Sequence, residues 1–309
     1  FSFGNFAARG TQSSYAVFIT DDVTVSESLR VNAGYRVERF YQYRYDMGPF
    51  VPTESSTRRD FNLEALELGF AKSLTDELTG FGKYNKGYRV PNVDENDPAA
   101  RPPTGSFLNP QRSKELEAGM RRRSGQQEQV VRLFKIWLDD EIANVSFTNI
   151  NLDRTQRTGI ELEHSAPLGG HLALRAAYTY IDSEFRSGNL TGSRVPLVPK
   201  HRALVSLTQN LNDQAQAELL LQGQSDQRLG GDVGGVQEQG KVPGYAVADI
   251  NLRYQLDRVK LVFSINNIFD RDYFSQGFFN EFAVFSGRDP IGIYPDPGRN
   301  MRVTAQFEF

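Results

Sequence analysis

NMRVTAQFEF, residues 300–309, alternates strictly: Met301, Val303, Ala305, Phe307 and Phe309 interleave with Arg302, Thr304, Gln306 and Glu308. Side chains of an extended chain point to opposite faces at every second residue, so this stretch predicts a strand with one apolar face. The same signal recurs upstream. Ala246, Ala248, Ile250, Leu252 and Tyr254 share a face opposite Val247, Asp249, Asn251, Arg253 and Gln255. Leu172, Leu174, Ala176, Tyr178 and Tyr180 form another apolar row, and Leu29, Val31, Ala33, Tyr35 and Val37 a further one. Between 128 and 141 the apolar phase slips from Val131 and Leu133 to Phe134, Ile136 and Leu138, which predicts a bulge or a register that the alternation does not assign.

Thirteen strands are expected, near 12–20, 28–46, 61–72, 77–89, 112–123, 128–139, 155–165, 171–183, 200–209, 215–227, 244–255, 258–267 and 298–309. Their connections alternate between short turns, such as 73–77, 124–127, 167–170, 210–213 and 256–257, and long segments. The long ones run near 47–60, 90–111, 140–154, 184–199, 228–243 and 268–297. Short turns on one rim and long loops on the other predict a transmembrane antiparallel β-barrel, with long loops extracellular and the C-terminus periplasmic. An odd strand number cannot close such a barrel alone, so strands upstream of this sequence are expected; nine more would give 22. A chain that starts FSFGNFAARG, with neither Met nor a signal segment, reads as a fragment or a processed chain.

Composition agrees. Among 309 residues there are 22 Phe and 13 Tyr, too aromatic for a disordered chain. The mean hydropathy of −0.49 is what a barrel shows when apolar residues occupy alternate positions. The net charge of −3, with Lys and Arg scattered, gives no support to nucleic-acid binding, and the lack of Cys excludes thiolate metal sites. A soluble sandwich or propeller is the competing architecture. Strands of about 9–12 residues and the lack of a blade-length repeat count against it.

Several segments resemble the TonB-dependent outer-membrane receptors. They are GKYNKGYRVPNVDEN (82–96), FLNPQRSKELEAGMR (107–121), RTGIELEHSAPLGGHLALRAAYTYIDS (157–183), PLVPKHRALVSL (196–207), PGYAVADINLRYQL (243–256), LVFSINNIFDRDYF (261–274) and YPDPGRNMRVTAQFEF (294–309). The resemblance implies a 22-stranded barrel plugged by an N-terminal domain and energised through a motif that binds TonB. Neither plug nor motif lies in residues 1–309, which read as the C-terminal portion of the barrel. It further implies active import of a scarce solute across the bacterial outer membrane, most simply a ferric siderophore. A passive porin and a structural barrel component of a larger assembly are the alternatives. The segment between Val90 and Gln111 contains no His, which points away from haem.

No catalytic constellation or cofactor site is legible, and the expectation is a non-enzyme. His164, His171 and His201 lack metal-ligand spacing. Asp139, Asp140 and Glu141 open an external loop as a candidate cation site or a solvated loop end. DPAARPP (97–103) reads as a rigid irregular stretch, and LGGDVGG (229–235) as a loop tip. The loop 268–297 holds Phe274, Phe278, Phe279, Phe282, Phe285, Tyr294, Arg271 and Arg288. Such aromatics either close over a ligand or pack on neighbouring loops. In iron-uptake members of the family, loop aromatics and arginines hold anionic ferric chelates by charge pairing and stacking. The resemblance therefore selects Phe278, Phe279, Arg288 and Tyr294 as ligand contacts, with Arg186, Arg194 and Arg228 from two other loops.

Overall fold

The computed structural model describes residues 7–47, 55–93, 95–96, 108–145, 148–235 and 238–307. Phe309, Glu308 and the 97–103 stretch lie outside the described residues, as does the side chain of Phe282.

One antiparallel sheet of 13 strands forms the body of the molecule. Its strands are β1 (Ala7–Ser26), β2 (Leu29–Met47), β3 (Ser55–Ser73), β4 (Leu78–Arg89), β5 (Gln111–Ser124), β6 (Gln127–Asp139), β9 (Thr155–Gly169), β10 (Leu172–Phe185), β11 (His201–Asn210), β12 (Ala215–Gln224), β15 (Tyr245–Leu256), β16 (Val259–Asn266) and β19 (Asn300–Phe307). Each pairs with the next of these in chain order, and the edges β1 and β19 do not pair with one another. All thirteen expected strands are present, in the expected order.

The remaining elements belong to the long-loop rim and are not apparent in the sequence. Hairpin β7 (Ile142–Val145) with β8 (Thr148–Asn151) follows β6, and β13 (Gln227–Arg228) pairs with β14 (Lys241–Val242) between β12 and β15. Between β16 and β19, β17 (Phe274–Phe279) pairs with β18 (Ile291–Pro295) around the five-residue helix α1 (Glu281–Phe285).

The sheet is inside out relative to a soluble protein. On its outer face Ile19, Tyr35 and Leu66 stand in one row, and Leu252, Phe263 and Val303 in another. Many of these apolar side chains are exposed: Ile19 at 70%, Leu68 at 45%, Leu133 at 57%, Val303 at 72%. So wide an apolar surface requires a lipid partner. The opposite face carries the polar residues, bonded across strands. Arg132 bridges Glu117 and Glu161, Arg253 reaches Glu218 at 2.7 Å, and Ser264 donates to Asn251 at 2.6 Å. The tight rim uses residues that tolerate a left-handed backbone, such as Gly125 (φ 59°) and Asp257 (φ 50°).

Of the two readings of 128–141, the bulge is absent and the register is a regular one. Pairing runs unbroken along both edges of β6, from Ser124↔Gln127 to Arg112↔Asp139 and from Glu128↔Ser165 to Leu138↔Thr155. The phase changes because the inner face gains apolar residues. Phe134 lies across from Gly159, where an added Cβ would meet the Phe134 ring at 2.5 Å, so the ring fills the space left by the missing side chain.

Candidate functional site

Four long-rim loops pack into one assembly with two small cores of its own. Leu152, Phe185, Leu190 and Val195 are buried together, with Ala143 and Ile150 of the β7–β8 hairpin and Val233 against them. The second core joins Leu229 and Val242 to Phe279, with Phe274 alongside. Backbone bonds fix that junction: Gly230 N donates to Gly277 O at 2.9 Å, and Phe279 N donates to Gly230 O at 2.8 Å.

The candidate arginines differ in what they do. Arg228 is fully buried; its Nε donates to Asp232 Oδ2 at 2.8 Å and its Nη2 to Asp232 Oδ1 at 3.2 Å and Gly235 O at 2.7 Å. Asp232 also accepts from Gln239 N at 2.9 Å. Two fork bonds and two carbonyls, Gly235 O and Arg194 O at 3.4 Å, engage all three guanidinium nitrogens, and the pair ties Arg228, Asp232, Gly235 and Gln239 together. Arg194 is partly buried, bonded to Asp226 Oδ2 at 3.3 Å and within 3.6 Å of Glu238. Arg186 pairs with Glu184 at 3.1 Å and is half-exposed. Arg288 sits at the tip of the β17–β18 hairpin, exposed, with no ion pair among the described residues.

The aromatics divide likewise. Phe279 is 9% exposed and serves the second core. Phe278 meets Tyr294 edge to face at 5.7 Å, with Tyr294 60% exposed. Phe285, at the end of α1 and outside the sequence shortlist, is 87% exposed. The tip is nonetheless ordered locally: Arg288 N donates to Ala283 O at 3.0 Å, Asn280 N to Pro290 O at 2.8 Å, and Gly287 takes φ 69°. The hairpin thus presents Phe285, Arg288 and Tyr294 to solvent while Phe279 anchors it.

Asp226 links this assembly to the top of the wall. Burial alone pushes its carboxyl up, but hydrogen bonds from Arg194 and Lys241 outweigh that and hold it below its usual value. Lys241, bonded to Asp226, is raised in turn.

The other candidates are occupied. Asp139 faces Arg154 at 3.7 Å, Glu141 pairs with Arg157 at 2.7 Å, and Asp140 O accepts from Asn151. Among the described residues no three His, Cys, Asp or Glu side chains gather as a metal site. His201 lies against Tyr178 and Tyr180 on the outer face, its Nδ1 2.7 Å from the Tyr178 hydroxyl. Aromatics at this height form the interfacial girdle of a barrel.

Comparison with known proteins agrees with this architecture. The chain is 29% identical over 170 residues to the ferrichrome outer membrane transporter/phage receptor of Escherichia coli K12, covering 53% of this chain and 21% of that protein. The ferric yersiniabactin uptake receptor FyuA of Yersinia pestis superposes with a TM-score of 0.79 at 19% identity, over 98% of this chain and 46% of that one. The copper transporter OprC gives 0.79 at 21% identity, over 97% and 48%. At these identities the structures speak for the fold alone. The chain spans about a fifth of the curated relative and under half of either solved chain. Residues 2–268 match the family described as "TonB dependent receptor-like, beta-barrel", a match that ends before β17 and β19. With most of its length matched, the chain belongs to the TonB-dependent receptors of the outer membrane, as part of their β-barrel.

Proposed function

We propose that residues 1–309 are the C-terminal portion of a plugged barrel that imports a ferric siderophore, with the long-loop rim extracellular and the short-turn rim periplasmic. An N-terminal plug and further strands complete the barrel, and the TonB complex drives release through that region. The observation that carries this reading is the β17–β18 hairpin. A buried anchor, Phe279, holds up a hairpin that exposes Phe285 (87%) and Arg288 at its tip, the latter with no ion pair among the described residues, and Tyr294 (60%) nearer its open end. An anionic chelate with planar ligand groups is matched by this chemistry, because a guanidinium pairs with its charge and aromatic rings stack on its faces. The named activities of the ferrichrome and ferric yersiniabactin receptors support the solute class. Import then needs tight binding outside and release inside, without covalent chemistry.

The test is uptake of radiolabelled iron by cells with and without the full-length protein, supplied as hydroxamate, catecholate or citrate chelates. The proposal expects uptake of at least one chelate that requires both this protein and TonB. Uptake that persists without TonB identifies a passive channel instead. Dependence on none of the chelates overturns the siderophore assignment.

A further inference from the structure

Among the described non-glycine residues with a left-handed backbone, Leu197 (φ 57°) is the only one that is not Asp, Asn or His. A short polar side chain can bond the nearby backbone in that conformation, and leucine has no group to do so. Its surroundings must therefore hold it there. Leu197 follows Pro196 at a turn, the place where a positive φ is ordinarily supplied by glycine. Its amide donates to Arg228 O at 3.0 Å, and Arg228 is fixed in turn by Asp232.

What that conformation places is visible at Gly230. A Cβ added there would lie 2.9 Å from Leu197 Cδ1 and 2.7 and 2.8 Å from Phe278 Cδ1 and Cε1, so the leucine methyl and the phenyl ring together fill the space a side chain would take. Gly230 does not adopt a left-handed backbone, so glycine is needed here for the ring and not for the turn. Its position is set from both sides of its peptide: Gly230 N donates to Gly277 O at 2.9 Å, and Gly230 O accepts from Phe279 N at 2.8 Å. On the other edge of β17, Phe278 pairs with Gly292 of β18. The ring thus sits between two residues without side chains, capped by Leu197, and meets Tyr294 with an interplanar angle of 85°. Both rings are exposed to solvent on their remaining surface.

We infer that Leu197 and Gly230 are positioning residues: they seat the Phe278 ring square to Tyr294, and the squared pair selects chelates that carry planar aryl groups over aliphatic chelates of like charge. The inference rests on the reading of the β17–β18 hairpin as the contact for a ferric chelate. Ring-on-ring contact depends on the angle and offset of the rings, whereas charge pairing with Arg288 does not. Disturbing the seat therefore changes the preference between chelates and not the affinity for all of them.

The experiment titrates the purified full-length protein with ferric tris-catecholate and with ferric dicitrate, both anionic and only the first aryl. The parent is expected to favour the tris-catecholate by about tenfold, the scale of one well-oriented aromatic contact. Gly230→Ala drives a methyl group into the seat and is expected to bring that ratio close to one, with ferric dicitrate bound as by the parent. Adding Leu197→Ala makes room for the methyl group and should recover part of the preference. Tyr294 is exposed, so its variants test the pair without disturbing the fold: Tyr294→Phe should keep the ratio and Tyr294→Leu should abolish it. A Gly230→Ala protein that keeps the parent's ratio, or loses both chelates alike, overturns the positioning role. No recovery in the double variant overturns the part given to Leu197, and an unchanged ratio in Tyr294→Leu overturns the ring pair. A parent that binds both chelates equally overturns the aryl preference while the hairpin remains a chelate contact. A parent that fails every arm of the uptake test above overturns the siderophore reading itself, and this inference with it.

Discussion

Two arginines of the loop assembly, Arg228 and Arg288, share a residue type and occupy opposite environments. Arg228 is fully buried, with every direction of its fork engaged by Asp232, Gly235 and Arg194 O. Arg288 stands at an exposed tip with no carboxylate partner among the described residues. The same division separates Phe279, at 9% exposure, from Phe285, at 87%. One set builds the platform and the other faces whatever arrives at it. Residue type selects both sets; only the surroundings tell scaffold from contact.

That division is most exposed to refutation at Arg228. Arg228→Ala leaves Asp232 charged and unpaired in the interior and is expected to cost the loop assembly about 3–5 kcal/mol. Protease cleavage within 228–239 of the purified full-length protein should become rapid. Arg228→Met with Asp232→Leu, which removes both charges, should recover most of the protection. Resistance of the single variant to cleavage would break the scaffold assignment.

Phe279→Ala is expected to come next, at roughly 3 kcal/mol, because it empties the junction with Leu229 and Val242. Hydrogen exchange at the amides of Gly230 and Phe279, which hold the two loops together, should accelerate while the wall strands stay protected. Acceleration throughout the sheet would mean that the loops and the wall are one cooperative unit.

At the contact end, Phe285→Ala with Arg288→Ala should leave stability within about 0.5 kcal/mol, since neither side chain is packed. Loss of stability comparable to Phe279→Ala would erase the distinction between platform and tip.

The smallest effect is a pH dependence. The Asp226 carboxyl is held below its ordinary value in the folded loop, so its contribution is present above the ordinary value and fades as pH falls through the folded one. Lys241 is raised and contributes at all pH values below its ordinary range, so the pair weakens first on the acid side. Proteolytic sensitivity of the loop should rise slightly below about pH 4, and Asp226→Asn should flatten that rise.

The wall was legible in the sequence because membrane strands obey one rule over a long distance. Met301, Val303, Ala305 and Phe307 must all face lipid, and the pairing of Val259 with Phe307 keeps that phase across to β16. Only β6 misled, where Phe134 serves Gly159 on the neighbouring strand; a covered glycine is a property of two strands and cannot be seen in one. The loops followed no such rule. Phe278 and Phe279 are adjacent, so their strand alternates only in that one ring packs inward and the other reaches Tyr294. The fate of Arg228 depends on Asp232 four residues on and on a backbone carbonyl at Gly235, partners that become visible only when the turn is closed. Phe285 was in view as a loop aromatic, but its exposure follows from its place at the end of a five-residue helix.

The measurement that bears most directly on the account is calorimetric titration of the purified full-length protein with the chelate identified by uptake, comparing the parent with Phe285→Ala/Arg288→Ala. Binding at least about tenfold weaker in the double variant, with unchanged loop protection, is the predicted result. Unchanged affinity in a correctly folded double variant would contradict the assignment of the β17–β18 tip as the ligand contact.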